Sequence, residues 1–327
     1  MRILALQLKR IGDLVLTTPA FAAIKARLPQ AHLALAVHSA TASLLPAISD
    51  WESAIVFGPG RGFAPWQQVL TGRFDAVLDF TGTDRSALAA ALSRAKKRAA
   101  FTWVRKSRLR SLAYGDFVES SVRERHTVDH YLDLLAALDL TAADRQDAHP
   151  ILRLPEPVTD EPPFAIIHPG TARPEKFWLA DRWAEVAGHL SEKHGLHVVI
   201  TSSSDPAERA HAGQIRAPHS ALRTPATLCD FASLLAQARI VVSCDTAAVH
   251  LAAAFRRPQI ALYGPTNPFH WRPRHDRALV ISATKPGAPL SEFDPWAKGA
   301  PMDRISTEVV CRAIDDLLSH SAETASP

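Results

Sequence analysis

Four short stretches carry residue types that could do chemistry, and each follows an apolar run. The first is "KRIGD", residues 9 to 13, where Arg10, Gly12 and Asp13 come directly after "RILALQL". An ionised carboxylate at Asp13 could take the proton of an attacking hydroxyl, and it needs fixed geometry rather than a raised pKa to do so. The same aspartate could equally be a turn or helix-capping acid. The second is "HPGTARPEKFW", residues 168 to 178. Gly170 permits close backbone approach, Thr171 offers a hydroxyl, and Arg173 and Lys176 could neutralise charge on a departing phosphate or diphosphate. A polar surface turn is the competing reading. The third is "SCDTAAVH", residues 243 to 250, where a helix starting near Thr246 would aim unpaired N–H groups of Thr246, Ala247 and Ala248 at an anion. Asp245 would orient those amides or accept from ribose or sugar hydroxyls, and His250, one turn on, is either a ligand contact or a packed histidine. The fourth, "YGPTNP" at 263 to 268, places Gly264 and Thr266 in either a second wall of the same site or a rigid proline turn.

Such residues need a scaffold, and the chain's grammar supplies one. "ILALQL" (3–8), "HLALAVH" (32–38), "AIVF" (54–57) and "FDAVLDF" (74–80) read as buried strands. Thr18 can cap a helix with Pro19 in its first turn, and Phe21, Ile24 and Leu28 then share a face. The second half starts again with "FAIIHPG" (164–170), then "HVVITSS" (197–203), "RIVVSCD" (239–245) and "QIALYGP" (259–265). Trp183, Val186 and Leu190 mark one helical face, Leu228, Phe231, Leu235 and Ala238 another, and Val309, Ala313 and Leu317, with Ile314 alongside, a last one. Strands alternating with helices predict an α/β fold of two parallel-sheet domains, joined through the proline-rich residues 149–164. Ligands of such sheets sit beyond the strand ends, where all four stretches fall. Arg256 and Arg257, just before a strand, are expected at the opposite end.

With 327 residues and 47% hydrophobic residues, the chain can bury a sizeable core, which excludes whole-chain disorder. Thirty-seven basic against 33 acidic residues give a net charge of +4, too mixed for a dedicated nucleic-acid surface. The densest basic run is Arg94 to Arg110, containing Phe101 and Trp103, and it reads as a solvated face or as a patch for an anionic substrate or membrane. Three scattered cysteines make no disulfide framework, and no apolar run is long enough to span a membrane, so a soluble protein of a reducing compartment is expected. The sequence has no GxxxxGK[ST] loop, no GxGxxG fingerprint and no HExxH, and "DRQD" at 144–147 lacks calcium-loop spacing.

"RIGD", "HPGTARPEKFW" and "DTAAVHLAAA…RRPQIALYGPTNP", in that order, resemble the ADP-heptose lipopolysaccharide heptosyltransferases of glycosyltransferase family 9, over nearly the whole chain. The second-half pattern looks most like the heptosyltransferase III or Q branch. The resemblance implies a GT-B fold of two facing Rossmann-like domains: 1–155 for the acceptor, 156–305 for the nucleotide sugar, and 306–327 as a C-terminal helix and tail packing on its own sheet or across the boundary. It implies inverting transfer without a metal or other cofactor. Asp13 is then the catalytic base. Thr171, Arg173, Lys176, Thr246, Ala247 and Ala248 hold the donor phosphates, and Glu208, Asp245 and His250 hold the ribose or sugar. Arg10, Gly12, Gly264 and Thr266 are further cleft candidates. The implied partners are ADP-heptose and a lipopolysaccharide core or lipid A-core acceptor, with peripheral contact to the cytoplasmic face of the inner membrane and no nucleic acid. The family's more frequent "DTGPMH" is "DTAAVH" here, and the late cysteine-rich pattern of many relatives is missing. A different nucleotide sugar, a weakly catalytic sugar-nucleotide binder and an epimerase therefore stay open as alternatives.

Overall fold

The computed structural model describes residues 1–140, 148–154, 162–288 and 294–323, with side chains as far as Ser319. Pro155 and Pro157, the "DRQD" segment and the last four residues lie outside them. The chain divides into two units, Met1–Arg153 and Leu154–Pro327.

In the first unit β1 (Arg2–Gln7), β2 (His32–His38), β3 (Ser53–Phe57), β4 (Ala76–Asp79), β5 (Lys97–Phe101) and β6 (Asp116–Val118) form one sheet ordered β3-β2-β1-β4-β5-β6. Every pairing is parallel. Its helices are α1 (Ile11–Arg27), α2 (Ala64–Thr71), α3 (Asp84–Leu92), α4 (Arg108–Ser111) and α5 (Thr127–Asp133). Ile3 to Leu6 are apolar without alternation and fully buried, as a strand covered on both faces requires. The second unit repeats the scheme. Strands β7 (Phe164–His168), β8 (His197–Thr201), β9 (Ser220–Arg223), β10 (Ile240–Cys244), β11 (Gln259–Tyr263) and β12 (Ala278–Ser282) are all parallel, ordered β12-β11-β10-β7-β8-β9. Its helices are α6 (Ala180–Glu192), α7 (Pro206–Gln214), α8 (Leu228–Gln237), α9 (Ala247–Ala254) and α10 (Thr307–Glu323). Each order turns back on itself once, between β1 and β4 and between β7 and β10. At those switch points neighbouring loops leave in opposite directions and open a crevice beyond the strand ends.

Three expectations are corrected. The first helix begins at Ile11, not at Thr18, and runs through Pro19. Proline there supplies no N–H for the Val15 carbonyl, and the Thr18 hydroxyl donates to that carbonyl instead at 2.7 Å. That substitution keeps the helix continuous, and the Thr18 oxygen also accepts from the Ile151 N–H at 2.8 Å. Strands β5, β6, β9 and β12 went unread: β5 opens on Lys97 and Arg98, and β6 and β9 are short edge strands with no fully buried residue. On α10 the buried residues are Val310, Ala313, Ile314 and Leu318, so Ala313 and the adjoining Ile314 are buried as expected while Val309 and Leu317 lie at the margin. This helix packs on α6, β11 and β12 of its own unit. Asp315 fastens it there, its Oδ1 receiving His189 and His194 Nε2 and its Oδ2 receiving Lys193 Nζ, all at 2.8 Å.

Two buried histidines give a pH dependence of stability. Burial, reinforced by the charge of Lys9, pushes His130 down to about 3, and burial pushes His168 down to about 4. His130 stacks on Phe101 and bonds Ser120, while His168 bonds the Thr201 hydroxyl at 2.9 Å. Both values lie below the ordinary 6.5, so the folded state excludes a proton that the unfolded chain accepts. The associated stability is complete above pH 6.5 and is lost as pH falls through that value towards 4 and then 3. Each histidine contributes a slope of up to about 1.4 kcal/mol per pH unit. The melting temperature should therefore drop steadily from pH 6.5 to 4, and a flat profile would contradict it.

Candidate functional site

In the first unit Asp13 stands in the first turn of α1, straight after β1 at the switch point. The positive end of a helix dipole accommodates an anion there. The side chain is nearly buried at 9% exposure, and its Oδ1 accepts a 2.6 Å hydrogen bond from the Tyr131 hydroxyl. Burial and the charge of Asp13 hold the Tyr131 phenol well above its ordinary 10, so it remains a donor. Tyr131 itself is set by α5, which packs along α1, and by edge-on contact with Phe80. Gly12 lies within α1 rather than in a turn, and Arg10 is the exposed N-cap position, with no side-chain capping bond. The adjoining loop after β4 closes on this one: Leu8 N–H donates to the Thr81 hydroxyl at 2.8 Å, and Thr81 and Gly82 N–H donate to buried Asp79 at 2.7 and 3.0 Å. Tyr131, Thr81 and Asp79 carried no sequence signal, since tyrosine in an amphipathic helix and aspartate at a strand end are commonplace.

In the second unit the loops after β7, β8 and β10 bring their predicted residues together. Lys176 reaches Asp245 Oδ2 at 2.5 Å and the Asp245 carbonyl at 3.3 Å, with only 12% and 9% of the two side chains exposed. Asp245 thus holds a lysine at the switch point, which is more specific than the amide-orienting role expected of it. Thr246 caps α9, accepting from Ala248 N–H at 3.2 Å. Ala248 is fully buried with that N–H engaged by the cap, and the first amide of the helix is that of Ala247. His250 is buried one turn further on.

Gly170 does what its type suggested, but towards protein. A Cβ there would lie 2.7 Å from Glu208 Oε2, so the missing side chain is what admits the buried Glu208 carboxylate, which also accepts from Ser203 N–H at 3.2 Å. Thr171 is buried beside it, accepting from Arg173 N–H at 3.3 Å. The Arg173 side chain pairs with Glu175 at 2.6 Å, both half exposed. Gly264 is explained by packing as well: a Cβ would strike Met302, and its carbonyl accepts from Ala300 N–H at 3.0 Å. Thr266, two residues on, keeps a buried hydroxyl without a partner among the described residues.

Among the described residues, the grouping with metal-ligand chemistry is His189, His194 and Asp315, with ligand atoms within 4.8 Å of one another. It is the clamp of α10 described above and includes none of the candidate site residues. No described helix is long and apolar enough to cross a membrane.

The family model described as glycosyltransferase family 9 (heptosyltransferase) matches residues 63–294, a span holding Lys176, Glu208 and Asp245 but not Asp13. Lipopolysaccharide heptosyltransferase 1 of Salmonella typhimurium is 29% identical over 289 residues, 82% of this chain and 90% of its own length. Lipopolysaccharide heptosyltransferase 3 of Escherichia coli is 23% identical over 286 residues, 80% of this chain and 82% of its own. Of these two the type 1 enzyme has the higher identity. The solved structure of E. coli ADP-heptose LPS heptosyltransferase II superposes with a TM-score of 0.79 at 22% identity, covering 98% of this chain and 100% of that one. Its fold class, GT-B with two parallel-sheet domains, is the one found here. With the family pattern spanning most of its length on that fold, the chain belongs to glycosyltransferase family 9, the heptosyltransferases, and is a sugar-transferring enzyme.

Proposed function

We propose that this enzyme transfers heptose from ADP-heptose to a sugar hydroxyl of a lipopolysaccharide core acceptor, with inversion and without a bound metal, on the cytoplasmic side of the membrane. The first unit takes the acceptor and the second the donor. Tyr131 occupies Asp13 Oδ1 and fixes the carboxylate, so Oδ2 receives the acceptor proton as the hydroxyl oxygen bonds the anomeric carbon. The bond from that carbon to the diphosphate oxygen breaks, and ADP leaves with the electron pair. Lys176 and the amide at the start of α9 meet the charge that grows on the leaving diphosphate. Asp245 holds the ammonium in position before the donor arrives, so little reorganisation is needed in the transition state. Glu208, kept against Gly170, accepts from the ribose hydroxyls in this reading.

The observation that carries the base assignment is the hydrogen bond that locks Asp13 from α5. The test is product analysis: purified enzyme with ADP-heptose and a core acceptor, in EDTA, should yield ADP and a new glycoside of inverted anomeric configuration. Retained configuration, dependence on added metal, or an epimerised sugar nucleotide in place of a glycoside would each overturn this reading. Calorimetry with ADP-heptose, ADP-glucose and UDP-glucose then ranks the donors.

A further inference from the structure

We infer that residues 102–112 form a membrane-docking surface for an anionic bilayer, set beside the Asp13 loop. This rests on the proposed function, since a lipid-linked acceptor gives the surface its purpose.

Leu109 and Leu112 are 83% and 79% exposed, and Trp103 is 37% exposed. Three residues apart on and just past α4, the two leucines point to one side. Scattered exposed leucines need no explanation, but these stand in a stretch, 94–112, that holds eight lysines and arginines and no acid. Three of its bases have structural work: Arg98 bonds the Ala95 and Ala113 carbonyls, Lys97 pairs with Asp139 and Arg110 pairs with Asp84. Arg105, Lys106 and Arg108 remain exposed around the leucines, the Arg105 guanidinium lying over the Phe117 ring at 4.3 Å from its centroid. Apolar side chains ringed by cations, with a tryptophan at the margin, suit the boundary between anionic headgroups and acyl chains.

The place of this surface in the fold gives it a use. Residues 102–112 follow β5, at the same sheet edge as the loop after β1 that leads to Asp13. Trp103 bridges the two: its ring lies over Gly82, where a Cβ would collide with it, and Lys9 Nζ sits 5.9 Å from the ring centroid. Arg110 also bonds the Gly82 carbonyl at 3.3 Å. A bilayer meeting Leu109 and Leu112 therefore holds a lipid-anchored acceptor next to the Asp13 loop, so that only its headgroup sugars need reach the carboxylate.

The experiment is co-sedimentation of the full chain with vesicles of phosphatidylcholine, with and without phosphatidylglycerol, run beside the variant Leu109→Ser/Leu112→Ser. The wild type should partition onto the anionic vesicles alone and come off in high salt. The variant should bind about tenfold or more weakly, from the apolar area lost at the interface, with an unchanged melting temperature and undiminished transfer to a delipidated acceptor. Wild type that stays in the supernatant, a variant that sediments equally well, or sedimentation that appears only when acceptor lipid is added would overturn the inference. Failure of transfer to the delipidated acceptor by the wild type would instead strike the proposed function, and vesicle binding is read independently of it.

Discussion

Asp13→Ala is expected to lower kcat for heptosyl transfer by about 10²–10⁴-fold, the range a positioned general base contributes. Donor affinity measured by calorimetry should be unchanged, because the proposed donor contacts all belong to the other unit. Asp13→Asn should be as inactive, since it keeps the shape and can still accept from Tyr131 but cannot take a proton. Tyr131→Phe removes only the bond at Oδ1 and should cost about tenfold in kcat, the smaller loss that follows when a base keeps its chemistry and loses its fixed orientation. Its effect should fall on kcat and leave the donor KM alone, which separates positioning from a general loosening of the unit. If Asp13→Asn keeps more than about a tenth of wild-type turnover, no proton transfer through this carboxylate limits the reaction and the base must be sought elsewhere.

Lys176→Ala should have two effects of separate origin. Loss of the ammonium opposite the leaving diphosphate is expected to reduce kcat/KM by about 10²–10³-fold, as for other preorganised charge stabilisers. It also leaves Asp245, 9% exposed, as a carboxylate without its 2.5 Å partner. Stranding a fully buried ion-pair member costs about 3–5 kcal/mol, and the residual solvent access of this pair brings the expected loss below that range, to about 2–3 kcal/mol, visible as a lower melting temperature. The double variant Lys176→Met/Asp245→Asn removes both charges together. It should recover most of the stability while transfer stays low. Recovery of transfer as well would mean that the ammonium serves the fold and does not meet the diphosphate.

Both predictions turn on pairs that were read from the sequence only one member at a time. "KRIGD" marks Asp13 as a candidate because a glycine and an acid follow a buried strand, yet its hydrogen-bond donor is 118 positions away on a helix with no distinguishing pattern. Lys176 and Asp245 were each expected at a donor site, and their mutual bond, across 69 positions, changes what both do. Gly170 shows the same limit from another side: its small size was legible, but the occupant of the space, the Glu208 carboxylate, was not. Gly264 and Ala248 likewise have packing partners, Met302 and the Thr246 cap, that their types alone did not show.

What the sequence determined by itself is local: eight of the strands, whose unbroken apolar runs can only be buried, and the turn residues that end them at functional loops. It could not show that α1 passes through Pro19, because the Thr18 hydroxyl that serves the Val15 carbonyl acts only in the folded backbone. Nor could it show the short edge strands β6 and β9, where charged and half-exposed residues resemble loops. Strand order was the decisive tertiary fact. Parallel pairing places β1 beside β4 and β7 beside β10, strands separated in the sequence by whole βα units, and so gathers the ends of distant segments at two switch points. Periodicity reports which face of an element is buried and carries no information about which remote element will cover it. The chemistry of Asp13 and Lys176 depends on those covering partners, and for that physical reason it belongs to the tertiary structure.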